Sequence, residues 1–464
     1  MVDKKLLEML KKVDGAGYEV AIVGGGVRDV LAGKATNDWD LTTNAKPKEI
    51  LKLFPNAFYN NRFGTVGIPL TKSEIRNPKS ETKEGDHVEI VEITTYRTEK
   101  SYSDSRHPDE VEWGQTLEED LARRDFTINA MGLRFADGKL ATSPVDPFDG
   151  QKDLINKIVR AVGDANERFG EDALRMLRAV RFATTLEFEI EAETKKAIRV
   201  NAQLITKISG ERIRDEVFKI IADSNSDRGF ELMREFGLLK YFLPEVDICF
   251  GVEQKSPKRH HIYDVGKHLV MSMKTCPSGD PIVKFATLLH DIGKAKVAAV
   301  TEEGVRTFYN HEVVGAHQAL VVADRFHLSA FDKERVFRLV RWHQFSVTEE
   351  QTDKAVRRFI KNVGLLNVPA MMDLRAGDRL GGGLEEAEGW RLKLFKRRIE
   401  DVLKKPFSVS DLKVNGKDVM ETLNIKPGPK VGEILNKLFE EVEEDYKKNE
   451  REYLLGRLQE LNVK

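Results

Sequence analysis

The stretch YEVAIVGGGVRDVLAG at 18–33, followed by NDWDLTT at 37–43, decides how the amino-terminal part of the chain folds. The apolar run ending at Val23 reads as a strand, the glycines at 24–26 as a tight turn, and VRDVLAG as a helix start. Glycine lets the backbone approach a ligand closely, and a helix N-terminus aims N–H groups at an anion. Asp38 and Asp40 are two residues apart, so on a strand both carboxylates project from one face. Carboxylates so spaced hold divalent cations, and Mg²⁺ needs only a few of them because waters and substrate phosphates complete its shell. Glu92, in VEITTYRTE on another strand-like segment, is the third candidate.

Working outward, GTVGIPL at 64–70 and HVEIVEITTY at 87–96 also read as strands, whereas after DPFDG at 146–150 the periodicity turns helical and stays so. The expected fold is therefore α+β and multidomain. An α/β head over 1–145 precedes a helical neck over 146–250, a helical bundle over 251–385 and a helical tail over 386–464. The length of 464 residues suits about three domains. Hydrophobic residues make up 41% and charged residues 33%, a composition that excludes a disordered or collagen-like chain. The 75 basic residues against 76 acidic leave a formal charge of −1, so charge is no argument for or against nucleic acid. Two cysteines, Cys249 and Cys276, cannot build a disulfide framework. The charged amphipathic start MVDKKLLEMLKKVDG is neither a signal peptide nor an anchor, and no apolar run is long enough to span a membrane. A cytoplasmic protein without a membrane partner is expected.

Three phosphate-binding readings compete for the glycine turn. A dinucleotide fingerprint fails because Asp29 stands where the third glycine is needed, and a P-loop fails for want of GK[ST]. The third is a nucleotidyl-transfer turn, which the D-x-D pair favours. GGGVRD with NDWD, then RRDFTINAM at 123–131 and GEDALRMLRAVRF at 170–182, closely resembles the class II tRNA nucleotidyltransferase and bacterial poly(A) polymerase family. The resemblance implies a polymerase-β-like head in which Asp38 and Asp40 are catalytic and hold Mg²⁺, with Glu92 remaining the third catalytic candidate from its own strand. Gly25 and Arg28 would contact nucleotide phosphates, Arg124 and Asp125 the ribose and triphosphate, and Arg178 and Arg181 the triphosphate.

EDALR also carries a chemical reading of its own. Asp172 and Arg175 are three apart and would share a face of one helix. Cytosine and adenine each present an exocyclic amine beside a ring-nitrogen acceptor. A carboxylate accepts from the amine while a guanidinium donates to the ring nitrogen. Guanine and uracil reverse that pattern, so one Asp/Arg pair accepts C and A and rejects G and U. ISGERIRDE at 208–216 matches the family's last helical motif, with a structural role expected.

The implied activity is addition of CCA to tRNA 3′ ends from CTP and ATP. A-only addition and poly(A) synthesis remain open alternatives. NNRFGTVGI at 60–68 resembles the CCA-adding branch, and the polar segment 96–121 resembles that branch's flexible loop, expected to lack structure of its own and to act as a lever. RLKLFKRRIEDVLKK at 391–405, with seven basic residues against two acidic, is an expected tRNA contact in the tail.

Eight of the ten histidines fall between 260 and 343. His268, the dipeptide His290-Asp291 in LLHDIGK, and Asp378 in LRAGDRLGG follow the order H…HD…D and resemble the HD phosphohydrolase superfamily. That implies a second divalent site, for Mn²⁺, Ni²⁺ or Mg²⁺, acting on 2′,3′-cyclic or terminal phosphates. His311, His317 and His343 are candidates for a further ion there.

Overall fold

The computed structural model describes residues 4–36, 39–59, 65–69, 90–100, 110–254, 262–345, 348, 351–404 and 408–462. The chain forms two compact units, Met1–Asp247 and Ile248–Lys464.

The first unit is built on strands β1 (Val20–Val23), β2 (Asp40–Thr43), β3 (Phe58–Tyr59), β4 (Thr65–Pro69), β5 (Ile90–Thr95), β6 (Arg97–Lys100), β7 (Glu110–Trp113), β8 (Gly132–Ala136) and β9 (Lys139–Leu140). Seven of them form one sheet in the order β3-β4-β5-β2-β1-β8-β9. All four residues of β1 are buried, which is why its sequence is continuously apolar instead of alternating. On one face Ile22, Leu41, Ile93 and Phe135 meet the helix Lys4–Gly15, whose Leu6, Met9, Leu10 and Val13 recur at helical spacing. On the other face Ala21, Val23 and Tyr96 pack on Leu117 and Leu121 of the helix Leu117–Ala122.

β6 and β7 pair separately as an antiparallel ladder from Arg97↔Trp113 to Lys100↔Glu110. This corrects the expectation that 96–121 has no structure of its own. Short runs such as RTEK and EVEW carry too many charges to signal a strand, but backbone pairing does not need apolar side chains. Residues 101–109, within the expected lever, lie outside the described residues, as do Asn60–Gly64 of NNRFGTVGI.

After Gly150 the unit is helical apart from one small parallel pair, Ile158–Val159 with Glu189–Ile190. The helices Leu174–Thr185 and Gly210–Ala222 run beside each other.

In the second unit the helix Val265–Thr275 packs along Val368–Gly381, flanked by Pro281–Leu289, His311–Arg325 and Ala330–Trp342. A Cβ on Gly381 would stand 2.4 Å from the backbone nitrogen of Ser272, so these two helices approach as closely as they do only because that side chain is missing. The tail helices Gly416–Leu423, Pro429–Glu444 and Arg451–Asn462 enclose a core of their own around Val419, Leu438, Val442, Leu454 and Leu458. Among the described residues no helix is long and apolar enough to cross a membrane.

Candidate active site

The register of β1, β2 and β5 puts Val23 beside Asp40 and Asp40 beside Glu92. Residues directly paired across strands point to the same face, with neighbouring strands about 4.8 Å apart. Asp40 and Glu92 therefore stand side by side on the face that carries Val23, each half-buried at the edge of the apolar layer. Asp38 lies outside the described residues, and β2 begins only at Asp40.

Gly24 has φ +73°, a conformation that favours glycine, and a Cβ there would lie 3.1 Å from both an Asp40 carboxylate oxygen and Nη1 of Arg124. The turn thus makes room for a carboxylate and a guanidinium at the same spot. Arg124 also reaches Asp120 (3.4 Å), and its buried Nε has no acceptor among the described residues. A Cβ on Gly25 would meet the guanidinium of Arg28 at 3.5 Å. Arg28 donates to Asp29 (2.9 Å) and Asn129 (3.0 Å).

One ring is a meeting point of head and neck. Phe182 packs edge-on against Phe126, with ring centroids 5.7 Å apart, and carries three guanidiniums: Arg181 at 3.9 Å, Arg28 at 5.4 Å and Arg178 at 5.5 Å. Arg178 pairs with Asp125 at 2.7 Å, and Arg181 with Glu216 at 2.5 Å. Burial pushes the Asp125 carboxyl up, but the adjacent Arg178 outweighs it and lowers the group to about 2. Burial likewise opposes ionisation of Glu216, and Arg181 again overcomes it. Arg124 and Arg28 thus stand at the glycine turn, and Arg28, Arg178 and Arg181 gather around Phe182, a set of guanidiniums suited to a triphosphate.

The expectation that Asp172 and Arg175 share a helix face is corrected. Asp172 ends the helix Ala165–Glu171 in extended conformation (φ −143°, ψ 102°), and the next helix begins at Leu174. Arg175 lies in that helix's first turn, where its side chain pairs with Glu171 at 2.6 Å, while Asp172 is held by Arg212 at 2.7 Å. Neither partner was singled out from sequence: Arg212 lies inside ERIRDE, 40 positions away from Asp172, and only packing reveals the pairing.

The second unit gathers a different cluster. His268 Nε2 lies 3.3 Å from His290 Nε2 and 3.2 Å from Asp378, and His290 Nε2 lies 3.5 Å from Asp378. Asp291 faces this group with Oδ2 (3.3 Å from His290) and turns Oδ1 to His311 (3.0 Å) and His343 (3.4 Å). All four residues expected from H…HD…D therefore meet, joined by His311 and His343. The exposed His317 instead lies against Phe337, outside the cluster. His290, His311 and His343 each direct Nδ1 at the carbonyl three residues earlier, at 2.7 Å. A proton on Nδ1 donated to that carbonyl leaves Nε2 as the ligand atom. His268, His290 and Asp378 form one potential metal-holding group, and Asp291, His311 and His343 another. The cluster therefore fits one or two divalent ions. Lys294, not foreseen from sequence, is buried against Asp291 at 2.5 Å and donates to Gln254.

Comparison with known proteins assigns the segments that carry these residues to known domains. Residues 20–160 match the Poly A polymerase head domain, 187–249 the probable RNA and SrmB-binding site of polymerase A, 260–376 the HD domain, and 403–458 the putative domain 2 of tRNA nucleotidyltransferase. A CCA-adding enzyme of Ligilactobacillus salivarius is 32% identical over 99% of this chain and 96% of its own length. The chain belongs to the CCA-adding enzymes. A CCA-adding enzyme of Lactococcus lactis subsp. cremoris is 33% identical over 98% of the chain and 95% of its own length. The crystal structure of the Bacillus stearothermophilus CCA-adding enzyme in complex with CTP superposes with a TM-score of 0.70 at 25% identity, covering 100% of this chain and 98% of that one. As a CCA-adding enzyme the chain is a nucleotidyltransferase; Asp40 and Glu92 lie within the head-domain match, and His268, His290, Asp291, His311 and His343 within the HD match, with Asp378 two residues beyond it.

Proposed function

We propose that the chain adds C, C and A to the 3′ end of tRNA, using CTP and ATP and releasing pyrophosphate. The observation that carries this reading is the in-register pair Asp40 and Glu92, beside a glycine turn that meets Arg28 and Arg124, with Arg28 sharing the Phe182 ring with Arg178 and Arg181. The 3′-hydroxyl of the RNA attacks the α-phosphate of the incoming nucleotide. Asp40 and Glu92, with Asp38 completing the set, are the residues that hold Mg²⁺. Bound there, the ion supplies positive charge to the triphosphate and acidifies the attacking hydroxyl. The arginines hold the β- and γ-phosphates in line, and the ion pairs of Arg178 with Asp125 and of Arg181 with Glu216 fix the direction of those two before the nucleotide arrives. Asp172 accepts from the exocyclic amine of C or A and Arg175 donates to the ring nitrogen. Solved relatives bound to CTP support the nucleotide assignment.

The test is incubation with tRNAs lacking the last one, two or three nucleotides, with labelled CTP and ATP. Stepwise products ending at CCA are expected from each. Addition of A alone, or an extended A tract, would replace CCA addition by one of its two alternatives.

A second activity is favoured by the convergence of four imidazole nitrogens and two carboxylates in the second unit. His268, His290, Asp291, His311, His343 and Asp378 hold Mn²⁺, Ni²⁺ or Mg²⁺ and act on 2′,3′-cyclic or terminal phosphates. Bound there, the metal supplies Lewis acidity toward the phosphate ester. Release of product from a 2′,3′-cyclic nucleotide, lost in Asp291→Ala, is the expected result. No turnover with any of the three metals would remove this activity.

A further inference from the structure

Oppositely charged side chains three residues apart ordinarily close on each other. Had Asp172 and Arg175 done so, each would satisfy the other and neither would be offered to a base. In the structure each is instead held by a different group. Arg212 donates to both oxygens of Asp172, Nη1 to Oδ1 at 3.2 Å and Nη2 to Oδ2 at 2.7 Å. Arg175 donates through Nη1 to Glu171 (2.6 Å) and the Arg168 carbonyl (3.2 Å), and through Nη2 to the Arg123 carbonyl (3.0 Å).

We propose that Arg212 and Glu171 are positioning residues for base selection, holding Asp172 and Arg175 apart so that both can read the incoming base. This rests on the base-reading role given to Asp172 and Arg175 above. The count of donors and acceptors supports it. An ionised carboxylate has about four lone-pair sites. Leu174 N–H (3.1 Å) and Arg212 Nη1 occupy Oδ1, and Arg212 Nη2 takes one site on Oδ2. One site on Oδ2 is left, which is what a single exocyclic amine requires. Arg175 has five N–H donors, of which those three contacts use both on Nη1 and one on Nη2. One Nη2 hydrogen and Nε–H remain for a ring nitrogen.

The placement of Arg212 explains why a second helix is needed. Asp172 sits in extended backbone between two helices, where the Leu174 N–H of the following helix holds Oδ1 but leaves Oδ2 to be fixed by another group. A bidentate guanidinium from the helix Gly210–Ala222 fixes the plane of the carboxylate, which a lysine, as a point charge, cannot do. With side-chain exposures of 27% for Arg212 and 17% for Asp172, the pair is partly shielded from water and accessible to a ligand.

The experiment measures kcat and KM for CTP, ATP, UTP and GTP on tRNA lacking CCA. The proteins are wild type, Asp172→Asn, Arg212→Gln, Arg212→Lys, Glu171→Gln and the double variant Asp172→Asn/Arg212→Gln, each checked for folding by thermal melting. In Arg212→Gln, KM for CTP and ATP is expected to rise about 10-fold while kcat falls less than about 3-fold, with the CTP-over-UTP preference in kcat/KM reduced about 10-fold. Arg212→Lys falls between wild type and Arg212→Gln. In the double variant, Arg212→Gln costs no further selectivity beyond Asp172→Asn, because the two act through one contact. A folded Arg212→Gln with wild-type selectivity, beside an Asp172→Asn that loses it, overturns the positioning role alone. Unchanged selectivity in Asp172→Asn overturns the base reading itself. If Arg212→Gln does not fold, Arg212→Lys and Glu171→Gln decide by the same ratio: reduced preference supports the role and wild-type preference overturns it.

Discussion

Both units hold carboxylates close to other charged or metal-binding groups, but they do so in opposite ways. In the first unit Asp40 and Glu92 are half-buried on adjacent strands, and the cations nearby are arginines, most of them already paired with a protein carboxylate. In the second unit Asp291 is buried and Asp378 half-buried among imidazoles, three of which fix Nδ1 to a backbone carbonyl and so turn Nε2 toward the carboxylates. The first arrangement suits a large charged substrate that enters, reacts and leaves. The second suits an ion that stays.

If the two centres work independently, damage to one leaves the other intact. The largest effect is expected for Asp40→Ala, which should lower CMP incorporation at least about 10³-fold, since metal-borne charge stabilisation is worth several kcal/mol. Divalent-ion binding by the second unit, followed by calorimetry, should be unchanged. Conversely, Asp291→Ala should weaken metal binding by about 100-fold or more, because Oδ2 faces His290 while Oδ1 faces His311 and His343, while CMP incorporation stays within about twofold. Loss of both functions from either substitution would mean that the centres are coupled.

Two smaller effects sharpen the contrast. Asp125, lowered to about 2 by Arg178, stabilises the first unit above the ordinary carboxylate range. That contribution, about 2 kcal/mol, is complete above about pH 4 and is lost as the pH falls through about 2. Denaturant titrations at pH 6, 4 and 2.5 should show this loss in wild type, and Asp125→Asn should lack it. Smallest is Gly381→Ala, whose methyl would press on the Ser272 backbone and move Asp378 away from His268. Metal affinity should drop about 10-fold, with nucleotide addition untouched.

What could be read from sequence follows the same division. Local features were legible: the glycine turn, Asp40, RRD and the HD dipeptide each depend on neighbours a few residues away. Glu92 was a candidate, but its place beside Asp40 depends on the β2–β5 register across 52 positions. Asp172 was misread because the helical periodicity of ALRMLRAVRF extends back to it, although the backbone breaks there. His311 and His343 join the cluster only because one helix starts and another ends at the same point in space, and no spacing rule in the chain encodes that. The paired ladder of β6 and β7 was hidden by its charged side chains.

The central claim is that an ion is held where Asp40 and Glu92 meet the glycine turn. It is tested most directly by anomalous scattering from crystals of the enzyme grown with CTP and Mn²⁺. The expected result is a manganese peak about 2.1 Å from a carboxylate oxygen of Asp40, with the triphosphate completing its shell. A nucleotide bound with no peak at Asp40, or manganese found only among the histidines of the second unit, would contradict the account.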